Sequence, residues 1–317
     1  MSLGAGTLIP TMERREFLQQ LAIALAALPE VARARVMGER LPIGFSTLGC
    51  PAWDWPKILD FAQQNGFAAV ELRGLQGTMD LSSRPEFADG QIEQSRKEIA
   101  NRGLRISCVS SSAEMHSTGP EHEKQLADAR RFIDLASRLG APHVRVFGNK
   151  LVGPRDAAVE HIAGSLRELG DYAAPKNVTV IVESHGDFTN SSILREILEK
   201  AASPYVGLLW DAHHTFVDGK EDPAFTFAQL GRHIRHTHLK DSRMENGERH
   251  YVLTGRGDVP VKRQVEVLAT AGYAGYYSFE WEKVWHPELE EPEVAIADYA
   301  RVIAEYLHAA SAQQKHS

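Results

Sequence analysis

The chain has 317 residues, 43% hydrophobic and 24% charged, a balance that supports a sizeable buried core and excludes an intrinsically disordered protein. A formal net charge of −7 excludes a protein built mainly to grip phosphate backbones, which requires a clustered Lys/Arg surface. The only cysteines, Cys50 and Cys108, exclude a disulfide framework and a Cys-rich zinc motif, and leave open whether they are bridged to each other.

Residues 1–41 differ in character from the rest of the chain. Met12-Glu13-Arg14-Arg15-Glu16-Phe17-Leu18 leads into an Ala/Leu-rich stretch ending at Leu28, then Pro29 and the small-x-small triplet Ala32-Arg33-Ala34. The pattern resembles a twin-arginine export signal, too short to span a bilayer and placed for cleavage after Ala34. The alternative is an ordinary amphipathic helix. The first reading implies a periplasmic or secreted protein and the second a cytoplasmic one; neither implies stable membrane insertion.

From Pro42 onward, strand-like apolar runs alternate with helical periods, with no long low-complexity linker. The first strand is expected at 43–46 and its helix at 55–64, stopped by Gly66. The second strand is 69–72 and the third 105–110, after a helix at 91–101. A helix with Leu126, Phe132, Ile133, Leu135, Ala136 and Leu139 on one side precedes a fourth strand at 143–147. Runs ending at Val182, Trp210, Thr237 and Phe279 supply strands five to eight. Helices are expected near 157–172, 192–201, 224–230, 262–271 and 292–307. Eight such repeats fit the roughly 250 residues of a (β/α)8 barrel, here a single-domain α/β TIM barrel over residues 42–310. A doubly wound sheet is disfavoured because no Gly-x-Gly-x-x-Gly follows the first strand.

Four of these strands end in a residue able to bind a metal: Glu183, Asp211, His238 and Glu280. In a parallel barrel, residues at strand C-termini point into one catalytic mouth, so the four are expected to hold one divalent ion. Three carboxylates and one imidazole suit Mn²⁺ first, with Mg²⁺, Co²⁺ or Zn²⁺ as alternatives. An ion with open positions would polarise a substrate carbonyl and make abstraction of the adjacent proton feasible for a carboxylate. Lys240 and Arg256 follow strand seven and are either solvated charges or candidates to hold a ligand oxygen, carboxylate or phosphate; Glu71, at the end of strand two, is a weaker candidate, as a hydroxyl partner. Trp53, Trp210, Trp281 and Trp285 lie near strand ends, where they either line a sugar site or pack in the core.

Val182-Glu183-Ser184-His185, Asp211-Ala212-His213-His214, His236-Thr237-His238-Leu239-Lys240-Asp241, Thr254-Gly255-Arg256-Gly257-Asp258 and Ser278-Phe279-Glu280-Trp281-Glu282 together resemble the xylose isomerase-like TIM barrels, a superfamily of ketose 3-epimerases, inosose dehydratases and endonuclease IV. The resemblance implies that Glu183 and Glu280 are the acid/base pair as well as metal ligands, and that His185 and His214 contact substrate hydroxyls. Endonuclease IV has extra His ligands from early strands. Glu71 and Ser110 to Ser112 stand there instead, so a trinuclear nuclease site is not expected. The implied function is a metal-dependent isomerase or epimerase of a keto-sugar or sugar derivative, a small-molecule partner without nucleic acid, with a homo-oligomer left open. The alternatives are a lyase, dehydratase or hydrolase acting on 3-keto glycosides, and a non-catalytic sugar-binding barrel.

Overall fold

The computed structural model describes residues 40–314, so the segment read as an export signal lies outside the described residues. Eight parallel strands close into a barrel: β1 (Ile43–Ser46), β2 (Ala69–Leu72), β3 (Arg105–Glu114), β4 (His143–Phe147), β5 (Thr179–Glu183), β6 (Val206–Asp211), β7 (Ile234–Leu239) and, after a hairpin, β10 (Tyr277–Phe279), which returns to β1. The (β/α)8 expectation is therefore met. Strand three runs four residues beyond its expected end.

The helices form where sequence supplies start and stop signals. Asp54 caps α1 (Trp55–Gln64), its Oδ1 accepting from Lys57 N at 2.9 Å, with Pro56 in the first turn. The next two are α2 (Ile92–Asn101) and α3 (Gly119–Leu139), which ends where Gly140 takes φ +73°. Then come α4 (Arg155–Ala173) and α5 (Ser191–Ala201), capped by Asn190. A short α6 (Ala212–Val217) and α7 (Pro223–Leu230) follow β6, then α8 (Val261–Thr270) and α9 (Pro292–Gln314). Apolar helix faces pack on the outer side of the barrel, where Trp210, Phe45, Phe279, Tyr299 and Ile303 are buried. Among the described residues no helix is long and apolar enough to cross a membrane.

Inward-facing residues alternate along each strand. Two positions before Glu183 and Asp211 come Ile181 and Leu209, which with Cys108 form a small apolar plug inside the barrel. Cys50 and Cys108 are both free and buried, which settles the bridge question.

Besides short 3₁₀ turns, two elements were not foreseen, the short helix α6 and a hairpin. Between β7 and α8 the chain leaves the barrel as an antiparallel hairpin, β8 (Asp241–Glu245) and β9 (Glu248–Val252), turning at Asn246 and Gly247, both with positive φ.

Candidate metal centre and its surroundings

Ladder register sets the four strand-end residues side by side. Asp211 pairs with His238, His238 with Ser278, and Glu183 with Leu209. Glu280 follows directly after β10, whose backbone stays tied to β7 near Leu239. As a result Glu183, Asp211, His238 and Glu280 each present one ligand atom, all within 4.8 Å of one another, and all four are buried.

Each ligand is fixed by a separate device. Asp211 caps α6 with Oδ1, which accepts from His213 N and His214 N, both at 3.0 Å, and this turns Oδ2 toward the cluster. His238 directs Nδ1 at Glu280 Oε1 (3.2 Å), Glu183 Oε1 (3.8 Å) and Asp211 Oδ2 (3.9 Å). Glu183 Oε2 accepts from Arg145 Nη1 at 2.7 Å, a pair that is 1% and 2% exposed. The Arg145 guanidinium also lies 3.9 Å from the Phe147 ring centre.

The donor set fits a divalent cation. Among the described residues His238 Nδ1 and Asp211 Oδ2 are buried with no hydrogen-bond donor or acceptor other than the charged groups of the cluster, Glu280 Oε1 facing the former and Lys240 Nζ the latter. Burial opposes charging His238, yet the Glu280 and Glu71 carboxylates outweigh it and hold the imidazole pKa well above its ordinary value. Burial likewise opposes ionising Glu280, and His238 with Lys240 holds its pKa well below the carboxylate range. The carboxylates of Glu183, Asp211 and Glu280 thus converge on positive charge, with His238 and Lys240 both facing them.

Lys240 is completely buried and faces Asp211 Oδ2 at 2.7 Å, Glu282 Oε1 at 2.8 Å, and Glu280 Oε2. It therefore belongs to the centre as a counter-charge to its carboxylates. His214 Nε2 is 3.5 Å from Asp211 Oδ2, while its Nδ1 meets Asp218 Oδ2 at 3.1 Å and Asp218 Oδ1 in turn meets Arg249 on β9 at 3.1 Å. His185 Nδ1 contacts Asn149 Oδ1 at 3.2 Å, and the His185 and His214 rings meet edge to face at 5.1 Å. Both imidazoles thus border the cluster.

The structure does not bring Arg256 there. Its side chain is 58% exposed and its Nη2 lies 3.4 Å from Asp298 on α9, because the turn from Leu253 to Gly257 points it outward along the barrel wall. Glu71 is also misplaced by the hydroxyl-partner reading, since it is wholly buried below the cluster with both carboxylate oxygens engaged by Ser110, His236 and His238. Trp53, Trp210 and Trp281 pack in the core; Trp285 is exposed.

Sequence reasoning missed Arg145, Glu282 and Tyr251. Arg145 was signalled by a charge inside the apolar run His143-Val144-Arg145-Val146-Phe147, and Glu282 by standing two residues after Glu280. Tyr251 had no signal: the unforeseen hairpin brings it onto His213 and His286, with ring centres 5.5 and 5.3 Å apart.

A family model described as "Xylose isomerase-like TIM barrel" matches residues 59–306. The chain belongs to that family. Among curated relatives, an inosose dehydratase of Geobacillus thermodenitrificans is 27% identical over 220 residues, covering 59% of this chain and 72% of the relative. Among solved structures, an L-ribulose 3-epimerase superposes with a TM-score of 0.70 at 18% identity, covering 86% of this chain and 96% of the other. An IOLI protein with a bound zinc atom gives a TM-score of 0.70 at 17% identity, over 84% and 98% of the two chains. Relatives of this fold thus include a lyase and an epimerase, and one carries a divalent metal.

His213 provides a pH prediction. Burial, aided by the Lys240 charge, pushes its pKa down to about 3, whereas an unfolded histidine titrates at about 6.5. The unfolded chain then binds the proton more readily, so this contribution to stability is complete above pH 6.5 and is lost as pH falls toward 3. Urea midpoints measured from pH 7 to pH 4 are expected to fall, and to fall less steeply in His213→Asn; parallel slopes would show that His213 is not a source of the acid sensitivity.

Proposed function

We propose that this protein is a divalent-metal-dependent enzyme that removes the proton beside the carbonyl of a keto-sugar or sugar derivative, with Glu183 and Glu280 as the proton-transferring pair. The observation that carries this reading is the convergence of four buried ligand atoms in one cluster with two glutamates among them. Glu183, Asp211, His238 and Glu280 would hold the ion, which when bound polarises the carbonyl and stabilises the negative charge developing on its oxygen.

The protein groups around it are suited to their tasks. Arg145 beside Glu183 and Lys240 beside Glu280 keep both carboxylates ionised and so able to accept a proton. His214, held through Nδ1 by Asp218, and His185, held by Asn149, are oriented to hydrogen bond substrate hydroxyls. Return of the proton to the opposite face of the same carbon gives an epimer, and to the neighbouring carbon an isomer.

β-Elimination is the second reading, favoured by the buried Lys240–Glu282 pair at 2.8 Å. Burial raises the Glu282 carboxyl pKa against the opposing charge of Lys240. The pair could protonate a departing hydroxyl while a glutamate keeps the proton taken from carbon. The likeness to an inosose dehydratase supports the same reading. We propose Mn²⁺ as the preferred ion on the basis of the oxygen-rich donor set.

The test is solvent exchange. Metal-loaded protein is incubated in D₂O with a panel of ketoses, inososes and 3-keto glycosides and followed by NMR. Deuterium is expected beside the carbonyl of at least one substrate, and the product, an epimer or an α,β-unsaturated ketone, separates the two outcomes. Binding of a panel member with no exchange at any carbon would overturn the enzymatic reading in favour of a sugar-binding barrel.

A further inference from the structure

Below the ligand cluster lies a second polar layer that the proposed chemistry does not use. Glu71 Oε2 accepts from His238 Nε2 at 2.8 Å and from His236 Nε2 at 2.9 Å, while Glu71 Oε1 accepts from Ser110 Oγ at 2.8 Å and faces Ser46 Oγ at 3.4 Å. Every member is at most 1% exposed. The layer follows from the strand period: His236 and His238 are two apart on β7 and point the same way, Ser46 stands beside Glu71 in the ladder, and Ser110 follows Cys108, which also stands beside it. Four strands are thus tied to one carboxylate.

We propose that Glu71 is a positioning residue for the metal centre, locking His238 with its proton on Nε2 so that the Nδ1 lone pair is the one presented to the ion. An ionised carboxylate only accepts, so each imidazole nitrogen at hydrogen-bond distance from Oε2 must carry a proton. With Nε2 so committed, Nδ1 is the nitrogen left to bind, and it is the one lying 3.2 to 3.9 Å from the oxygens of Glu280, Glu183 and Asp211. A carboxylate behind a ligating imidazole fixes the ring and raises the basicity of the ligating nitrogen, and loss of such a partner costs about 10–100-fold in metal affinity. His236 donates to the same oxygen and braces Glu71 from the other side, its own Nδ1 having no partner among the described residues. The inference rests on the proposed function only for the location of the ion.

The experiment measures metal binding, not turnover, so its failure is distinct from failure of the functional reading. Purified full-length protein and Glu71→Gln are titrated with Co²⁺ and Mn²⁺ against a chromogenic chelator, and the Co²⁺ visible spectrum is recorded. One ion per chain is expected in both proteins, with affinity lowered about 10–100-fold and a shifted Co²⁺ spectrum in the variant. Unchanged affinity and spectrum would overturn the proposal and make Glu71 a scaffold residue. Two ions per chain in the parent and one in the variant would also overturn it, because Glu71, His236 and His238 would then hold an ion of their own. Should Glu71→Gln not fold, long-range ¹⁵N–¹H NMR of the parent decides: with one equivalent of Zn²⁺, His238 is expected as the Nε2–H tautomer, and an Nδ1–H tautomer would refute the assignment.

Discussion

Glu280→Gln is expected to lower kcat on the order of 10³-fold at saturating metal and to abolish deuterium incorporation, with the folded state preserved. The amide keeps the shape and one coordinating oxygen but cannot take a proton from carbon. Folding survives because Lys240, which faces Glu280, still has Asp211 at 2.7 Å and Glu282 at 2.8 Å as counter-charges. The loss should therefore appear in kcat and in exchange, and not in the melting temperature of the metal-free protein. Exchange continuing at the parental rate in a metal-saturated variant would remove Glu280 from the proton-transfer pair.

Glu183→Ala is expected to behave differently, costing about 3–5 kcal/mol of stability in addition to activity. Among the described residues Glu183 is the carboxylate within ion-pair distance of Arg145, and both are sealed from solvent. Removing it strands a guanidinium whose Nε and Nη2 have no hydrogen-bond partner among the described residues. A buried arginine cannot escape by losing its proton, so the cost falls on the folded state. The double variant Glu183→Ala/Arg145→Met should recover much of the loss, since an apolar chain of similar length replaces the stranded charge. Urea denaturation in the presence of chelator measures both proteins. Equal stability of Glu183→Ala and the parent would mean that water reaches Arg145.

The barrel and the clustering of four strand-end residues were legible because strand-like runs and helical periods alternate regularly along the chain. Buried parallel strands read as continuous apolar runs, so a carboxylate or imidazole ending such a run stands out at Glu183, Asp211, His238 and Glu280. The hairpin at 241–252 was not legible because its side chains, among them Arg243, Glu245, Glu248 and Arg249, are polar on both faces and give no alternation; only Asn246-Gly247 marked a turn. Arg256 lies away from the cluster, beside Asp298, because sequence places a residue near a strand end without saying which way a turn aims it. Glu71 was placed on the right strand but assigned to substrate, since only the side-chain hydrogen bonds of the closed barrel show two imidazoles from β7, a strand that does not pair with β2, converging on it.

The hairpin closes on itself by means of Asp241. Its Oδ2 accepts from Gly255 N at 2.9 Å and Gly257 N at 3.0 Å, and its Oδ1 from Ser242 N at 2.8 Å and Val259 N at 3.2 Å. A Cβ on Gly257 would come within 2.2 Å of that carboxylate, so the clasp admits only glycine there. The excursion therefore leaves and rejoins the barrel at one pinned point beside Lys240. Such a junction is modular: an exchanged hairpin could replace Tyr251 and Arg249 at the rim, and with them the shape of what is admitted, while the floor of the barrel keeps its registration. Such an exchange would leave Glu183, Asp211, His238 and Glu280 on their strands and would reach His214 only through the Arg249–Asp218 pair.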